Sequence, residues 1–175
     1  MQSSAREYWR ERRSSRMPRH VETRDLRWTP EQMFDLVADV ARYPEFLPWV
    51  SAARVRQDGP DQIIAELVVG FSGFKERFTS RVRTERPHRI VIDYVDGPLK
   101  FLDNEWTFSA GKDGGCELRF EVDFAFRSRI LEAVASRVFH RAVARMIAAF
   151  EARAESLYGA GAGSGISSSR AHKAA

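Results

Sequence analysis

Residues 128–158, SRILEAVASRVFHRAVARMIAAFEARAESLY, decide how the chain is read, because they form its long stretch with a helical apolar period. Leu131, Val134, Val138, Ala142, Met146, Ile147, Phe150, Ala154 and Leu157 recur at steps of three and four, while Arg129, Glu132, Arg137, Arg141, Arg145 and Glu151 fall largely outside that stripe. The stretch contains no Pro or Gly, is rich in the helix former Ala, and stops at Gly159, a residue suited to the left-handed end of a helix. At 1.5 Å per residue such a helix runs roughly 45 Å, longer than a small domain needs for packing alone. Its apolar stripe must be covered, and a curved sheet wrapped around it is the predicted partner.

Upstream of this helix the signals are those of strands. From Val50 to Phe126 six strands are separated by turn residues at Asp58-Gly59-Pro60, 70–73, Arg86-Pro87, Asp96-Gly97-Pro98 and 111–115, and successive hairpins imply an antiparallel sheet. In the last strand Leu118, Phe120, Val122, Phe124 and Phe126 point one way and Glu117, Arg119, Glu121 and Asp123 the other. Leu102, Trp106 and Phe108 mark the inner face of the strand before it, and Phe74, Phe78 and Val82 that of the strand beginning at Phe74. The same parity places Asn104 and Glu76 among these apolar residues. A polar group facing a core is costly without a hydrogen bond, so each lies either near the sheet rim or on a cavity that holds water or a ligand.

Nearer the N-terminus, a first strand is predicted over Arg19–Leu26. Thr29-Pro30-Glu31-Gln32 then starts a helix, with Thr29 as N-cap, Pro30 at the first helical position and Gln32 as the capping-box partner. Met33, Phe34, Val37 and Val40 give it an apolar face. In the following segment Tyr43-Pro44-Glu45-Phe46-Leu47-Pro48-Trp49, two prolines four apart break the helix and hold four large apolar side chains in a stiff elbow. Such an elbow is either a plug over one end of the core or a gate and membrane-touching patch over a cavity.

A chain of 175 residues, 43% hydrophobic and 30% charged, supports one domain with a substantial core. Cys116 is the only cysteine, which excludes an internal disulfide and a cysteine-based metal site. No apolar run reaches bilayer length and no signal-peptide core follows the N-terminal charges, so a soluble, unexported protein is expected. The overall charge of +4 resides in the ends: residues 1–16 carry +3 and residues 159–175 carry +2, leaving residues 17–158 at −1. A folded part without net positive charge argues against a nucleic-acid-binding domain, and DNA is not an expected partner. The expected organisation is an N-terminal extension over 1–16, with Met17 as a possible true start, one domain over 17–158, and a low-complexity tail over 159–175.

Catalytic signatures are missing. His20, His88, His140 and His172 lie in termini, a turn and the helix without metal-ligand spacing, and there is no GxGxxG, GxxxxGK[ST] or GxSxG. His140 could face a cavity as an acid or base, but a structural, partly exposed histidine is the simpler reading. No enzyme, metal or cofactor is required.

The order strand, short helices, six antiparallel strands, long helix resembles the helix-grip, α+β fold of the START-like, polyketide cyclase-like superfamily. Within it, His20-Val21-Glu22-Thr23, residues 30–40, and above all YPEFLPW at 43–49 resemble the coenzyme Q-binding protein family, as do residues 71–76, residues 97–100, and Leu102, Asn104 and Trp106. The resemblance spans 17–158. It implies about seven strands around the C-terminal helix and two short helices after the first strand. It also implies ubiquinone or a late lipid precursor bound between sheet and helix, in support of respiration and quinone biosynthesis. An apolar tunnel for the tail and one or two polar groups for the ring would suffice. The cavity and its gate would then comprise Tyr43, Phe46, Leu47, Pro48, Trp49, Phe74, Glu76, Phe78, Asn104, Trp106, Val138 and Ala142. Such a protein would work in the cytoplasm against the inner membrane, or on the matrix side in mitochondria. The same family resembles a bacterial toxin that associates with ribosomal subunits, for which the row Arg137, Arg141 and Arg145 would contact phosphates, and the fold also serves aromatases and cyclases.

Overall fold

The computed structural model describes residues 19–71 and 73–159, so the expected extension over 1–16, Met17 and the tail beyond Gly159 lie outside the described residues. Each turn signal between Val50 and Phe126 becomes a hairpin. The strands are β1 (His20–Leu26), β2 (Val50–Gln57), β3 (Gln62–Phe71), β4 (Phe74–Glu85), β5 (Arg89–Asp96), β6 (Leu99–Ala110) and β7 (Cys116–Phe126). They form one antiparallel sheet in the order β1-β7-β6-β5-β4-β3-β2, in which β1 closes back onto β7. Gly97 is needed at the β5–β6 turn: its φ is +135°, and a Cβ there would lie 2.8 Å from the Arg77 carbonyl oxygen on β4.

Helix α1 (Pro30–Ala38) begins as its sequence requires. The Thr29 hydroxyl accepts from the Gln32 amide at 3.3 Å and the Gln32 side-chain oxygen accepts from the Thr29 amide at 2.9 Å, a closed capping box. Met33, Phe34, Leu36 and Val37 are buried beneath it. A 3-10 turn (Val40–Arg42) and the single-turn helix α2 (Tyr43–Phe46) carry the chain to β2.

The long helix α3 (Arg129–Tyr158) is capped by Ser128, whose hydroxyl accepts from the Leu131 amide at 3.4 Å, and ends at Gly159 with φ +69°. The Gly159 carbonyl accepts the indole N–H of Trp28 at 2.9 Å, which pins the end of α3 to the β1–α1 connection. Its buried seam is Leu131, Ala135, Val143, Ile147, Phe150 and Ala154. This corrects the expected stripe: Val138 and Ala142 are only half-buried on its flank, and Leu157 is 50% exposed. The apolar arc of the helix is broad enough to include Ala135, Phe139 and Val143, and β7 and α1 pack against that side of it.

Two core clusters result. The larger joins Trp28, α1 and the inner face of the sheet to Val143, Ile147, Phe150 and Ala154 on α3. The smaller lies at the start of α3 and consists of Leu99, Phe126, Leu131 and Ala135. Helix α3 therefore seats tightly at both ends and less tightly over its middle.

Candidate functional site

Cross-strand register brings the inner face of the sheet together row by row. Asn104 on β6 pairs with Ile92 on β5 and Val122 on β7, and Val122 pairs in turn with His20 on β1; Leu102 opposes Phe124, and Trp106 opposes Phe120. Trp106, Phe120 and Val122 are buried, whereas Ile92, Leu102, Asn104 and Phe124 remain half-buried although they lie on inner strands facing α3. Central positions under a fully seated helix would be sealed. These positions are less closely covered than the buried rows beside them, as is half-buried Phe78 on β4, although the apolar ones pack against the core clusters.

Of the two polar residues on this face, Asn104 sits in mid-strand and not at the rim. Its Oδ1 is enclosed and has no hydrogen-bond partner among the described residues. Glu76 lies opposite Val69, two residues into β4, with Phe74 nearer still to the β3–β4 hairpin, where Phe74 packs on the smaller cluster. The parity reading thus identified both residues, and the register separates an interior asparagine from a glutamate near the sheet end.

The elbow is tightly packed. Tyr43 meets Phe46 edge to face at 5.8 Å, both rings meet Phe150 of α3 at 5.5 and 5.2 Å, and Phe150 reaches Trp106 at 5.5 Å. The Tyr43 hydroxyl donates to the Val37 carbonyl at 2.7 Å, and burial raises its pKa with help from the Asp39 carboxylate. Arg153 bonds Glu45 at 2.7 Å and covers the Phe46 ring at 5.5 Å. Leu47 is buried, Trp49 half-buried and Pro48 exposed. These contacts pack Tyr43–Trp49 against the C-terminal half of α3, as the plug alternative expects, and the gate alternative is left to experiment.

A cavity of about 250 Å³ sits between the N-terminal half of α3 and the β1–β7 edge, with Phe124 and Phe139 as aromatic walls and Arg19, His20 and His140 at its polar side. Glu132 and Ser136 border it from α3. The His20 ring stands edge-on to Phe139 at 5.5 Å and 6.2 Å from the His140 ring. His20 Nε2 is enclosed 3.4 Å from a Glu22 carboxylate oxygen without hydrogen-bond geometry, while Arg24 holds the other Glu22 oxygen at 2.9 Å. Sequence reasoning treated the two histidines as scattered, since 120 positions separate them and only the crossing of α3 over β1 joins them. On the solvent side of α3, Arg137, Arg141 and Arg145 are exposed on successive turns, with no ion pair among the described residues. No group of His, Cys, Asp or Glu among the described residues could hold a metal ion, and no described helix is long and apolar enough to cross a membrane.

A seven-stranded antiparallel sheet gripping one long C-terminal helix is the helix-grip, START-like architecture. The model of the family described as polyketide cyclase / dehydrase and lipid transport matches residues 26–151, and the chain belongs to that family. Among its relatives is the ribosome association toxin RatA of Escherichia coli, 35% identical over 82% of this chain and 91% of that protein. The mitochondrial coenzyme Q-binding protein COQ10 homolog B of Xenopus laevis is 36% identical over 80% of this chain and 59% of its own length. Among solved structures, an 18 kDa protein of Caulobacter crescentus is 41% identical, with TM-score 0.67, over 82% of this chain and all (100%) of that one. The Streptomyces aromatase/cyclase Zhui shares the fold alone, at TM-score 0.71 and 18% identity over 83% of this chain and 99% of that one.

Proposed function

We propose that this protein is a non-enzymatic carrier of a prenylated quinone, ubiquinone or a late precursor of it, held between the concave sheet and α3 and handled at the surface of the inner membrane in support of respiration and quinone biosynthesis. The observation that supports this reading is the row of half-buried apolar side chains Ile92, Leu102 and Phe124 on the face toward α3, among which Asn104 brings an enclosed, unpartnered amide oxygen. A polyprenyl tail needs such an apolar lining, and a ring needs only one or two polar partners. The Xenopus relative, named for coenzyme Q, supports the ligand class. The test is mass spectrometry of organic extracts from the protein purified out of a quinone-making cell. Recovery of prenylquinone in amounts comparable to the protein is expected, and its absence overturns the reading. Deletion of the gene should slow respiration, with partial recovery on added quinone.

A second reading, association with ribosomal subunits, rests on the row Arg137, Arg141 and Arg145, which has no carboxylate partner among the described residues, and on the resemblance to the Escherichia coli toxin. It expects cosedimentation with subunits that falls steeply as salt rises, because released counterions drive phosphate contacts. Replacing all three arginines by glutamine should abolish cosedimentation while leaving lipid content unchanged.

A further inference from the structure

We propose that the end of the molecule where the β5–β6 turn, the first residues of β4 and the start of α3 meet is a docking surface for an anionic phospholipid bilayer. This inference rests on the carrier reading above and names which end of the protein faces the membrane. The three segments are tied together by one cluster, in which Leu99, Phe126 and Leu131 are buried and Phe74 and Tyr94 pack against them. The Arg127 amide donates to the Pro98 carbonyl at 3.0 Å, and its side-chain Nε donates to the Leu99 carbonyl at 2.9 Å.

The chain neighbours of these packed residues are exposed. Val95, beside Tyr94, is 46% exposed, and Ile130, beside Leu131, is 69% exposed, the highest value among the described large hydrophobic side chains. Lys75, Lys100 and Arg129, next to Phe74, Leu99 and Ile130, are exposed as well, and none of the three has an ion pair among the described residues. Over residues 73–77, 94–100 and 127–132 five cations stand against three carboxylates, a local net of +2, which leaves the rest of 17–158 at −3. The charge of the folded part is therefore polarised toward this end, in the sense that a membrane surface carrying anionic lipids attracts. Single exposed aliphatic side chains are ordinary on a protein surface. An exposed isoleucine among unpaired cations combines the two terms that hold a protein at a bilayer interface, apolar burial and attraction to anionic headgroups.

The cavity beside the β1–β7 edge shares walls with this end, since Phe126 and Ala135 belong both to its lining and to the cluster. The elbow lies at the other end of the helix. Phe150, on which Tyr43 and Phe46 pack, is twenty residues beyond Ile130, about 30 Å along α3. Docking through Ile130 thus presents the cavity to the bilayer and leaves the elbow away from it.

The test is flotation of the full chain with vesicles of phosphatidylcholine and phosphatidylglycerol in equal amounts, and with vesicles of phosphatidylcholine alone. The mixed vesicles are expected to bind about tenfold more tightly, with a preference that shrinks as salt rises. Ile130→Ser should weaken binding to the mixed vesicles about fivefold through lost apolar burial. The double variant Lys100→Gln and Arg129→Gln should weaken it about tenfold and flatten the salt dependence. Leu157→Ser, at a position 50% exposed near the far end of α3, should bind like the wild type. All four positions are exposed, so thermal unfolding should not distinguish the variants from the wild type. No binding by the wild type, equal affinity for the two kinds of vesicle, or undiminished binding by either Ile130→Ser or the double variant overturns the proposal. Undiminished binding is the result expected if residues 1–16, with their net +3, made the contact instead. Prenylquinone recovered from the same preparation keeps the carrier reading standing in each of those cases.

Discussion

Tyr43 and Phe150 meet edge to face at 5.5 Å, and this contact joins the proline-stiffened elbow to the long helix. Phe150 is buried and also touches Phe46 and Trp106, so Phe150→Ala should cost about 3–5 kcal/mol in urea unfolding. Tyr43→Phe keeps the ring and loses only the bond to the Val37 carbonyl, at about 1 kcal/mol. Pro48→Ala, at an exposed position, should alter neither stability nor the rate of lipid uptake by more than twofold; a large change in uptake alone would support the gate.

The register of α3 can be tested by charge. Val143 is buried, so Val143→Asp should destabilise by more than about 3 kcal/mol, whereas Arg141→Ala on the solvent side should stay within about 0.5 kcal/mol. Val138→Asp should fall between them, since Val138 lies on the flank. Equal losses at 138 and 143 in chemical denaturation would contradict the seam.

Asn104→Leu should raise the thermal midpoint of the ligand-free protein. An enclosed acceptor without a partner costs about 1–3 kcal/mol, and leucine has nearly the same shape without the polar atoms. A gain of about 1 kcal/mol is expected, and a loss would mean that the amide is satisfied in solution.

Cys116 is fully enclosed, and burial pushes its thiol up to about 11. Its neutral form is therefore the one favoured by folding, so its contribution to stability is complete below about pH 9 and is lost as the pH rises toward about 11. Labelling by a thiolate-directed reagent at pH 8 should proceed only at the rate of global unfolding, and Cys116→Ala should flatten the loss of stability between pH 9 and 11.

Much of the fold was legible because its determinants are local. The capping box at Thr29 and Gln32, the hairpin turns, the alternation from Leu118 to Phe126 and the stop at Gly159 each act within a few residues and depend on backbone chemistry those residues carry themselves. The period of residues 128–158 likewise determined that a long amphipathic helix forms and that a sheet must cover it. Parity alone put Asn104 on the inner face.

The remainder was decided by the tertiary structure. A helical period defines an apolar arc but not which part of it touches the sheet, so the seam through Ala135 and Val143 emerged only when β7 and α1 packed against α3. Prolines make the elbow stiff; only the meeting of Tyr43 and Phe46 with Phe150, more than 100 residues away, seats it on α3. The cavity depends on the same kind of long-range geometry. His20 and His140 have no shared motif, and the crossing of α3 over the β1–β7 edge brings their rings to 6.2 Å, since packing, unlike capping or alternation, is a relation between surfaces that no single stretch of chain contains.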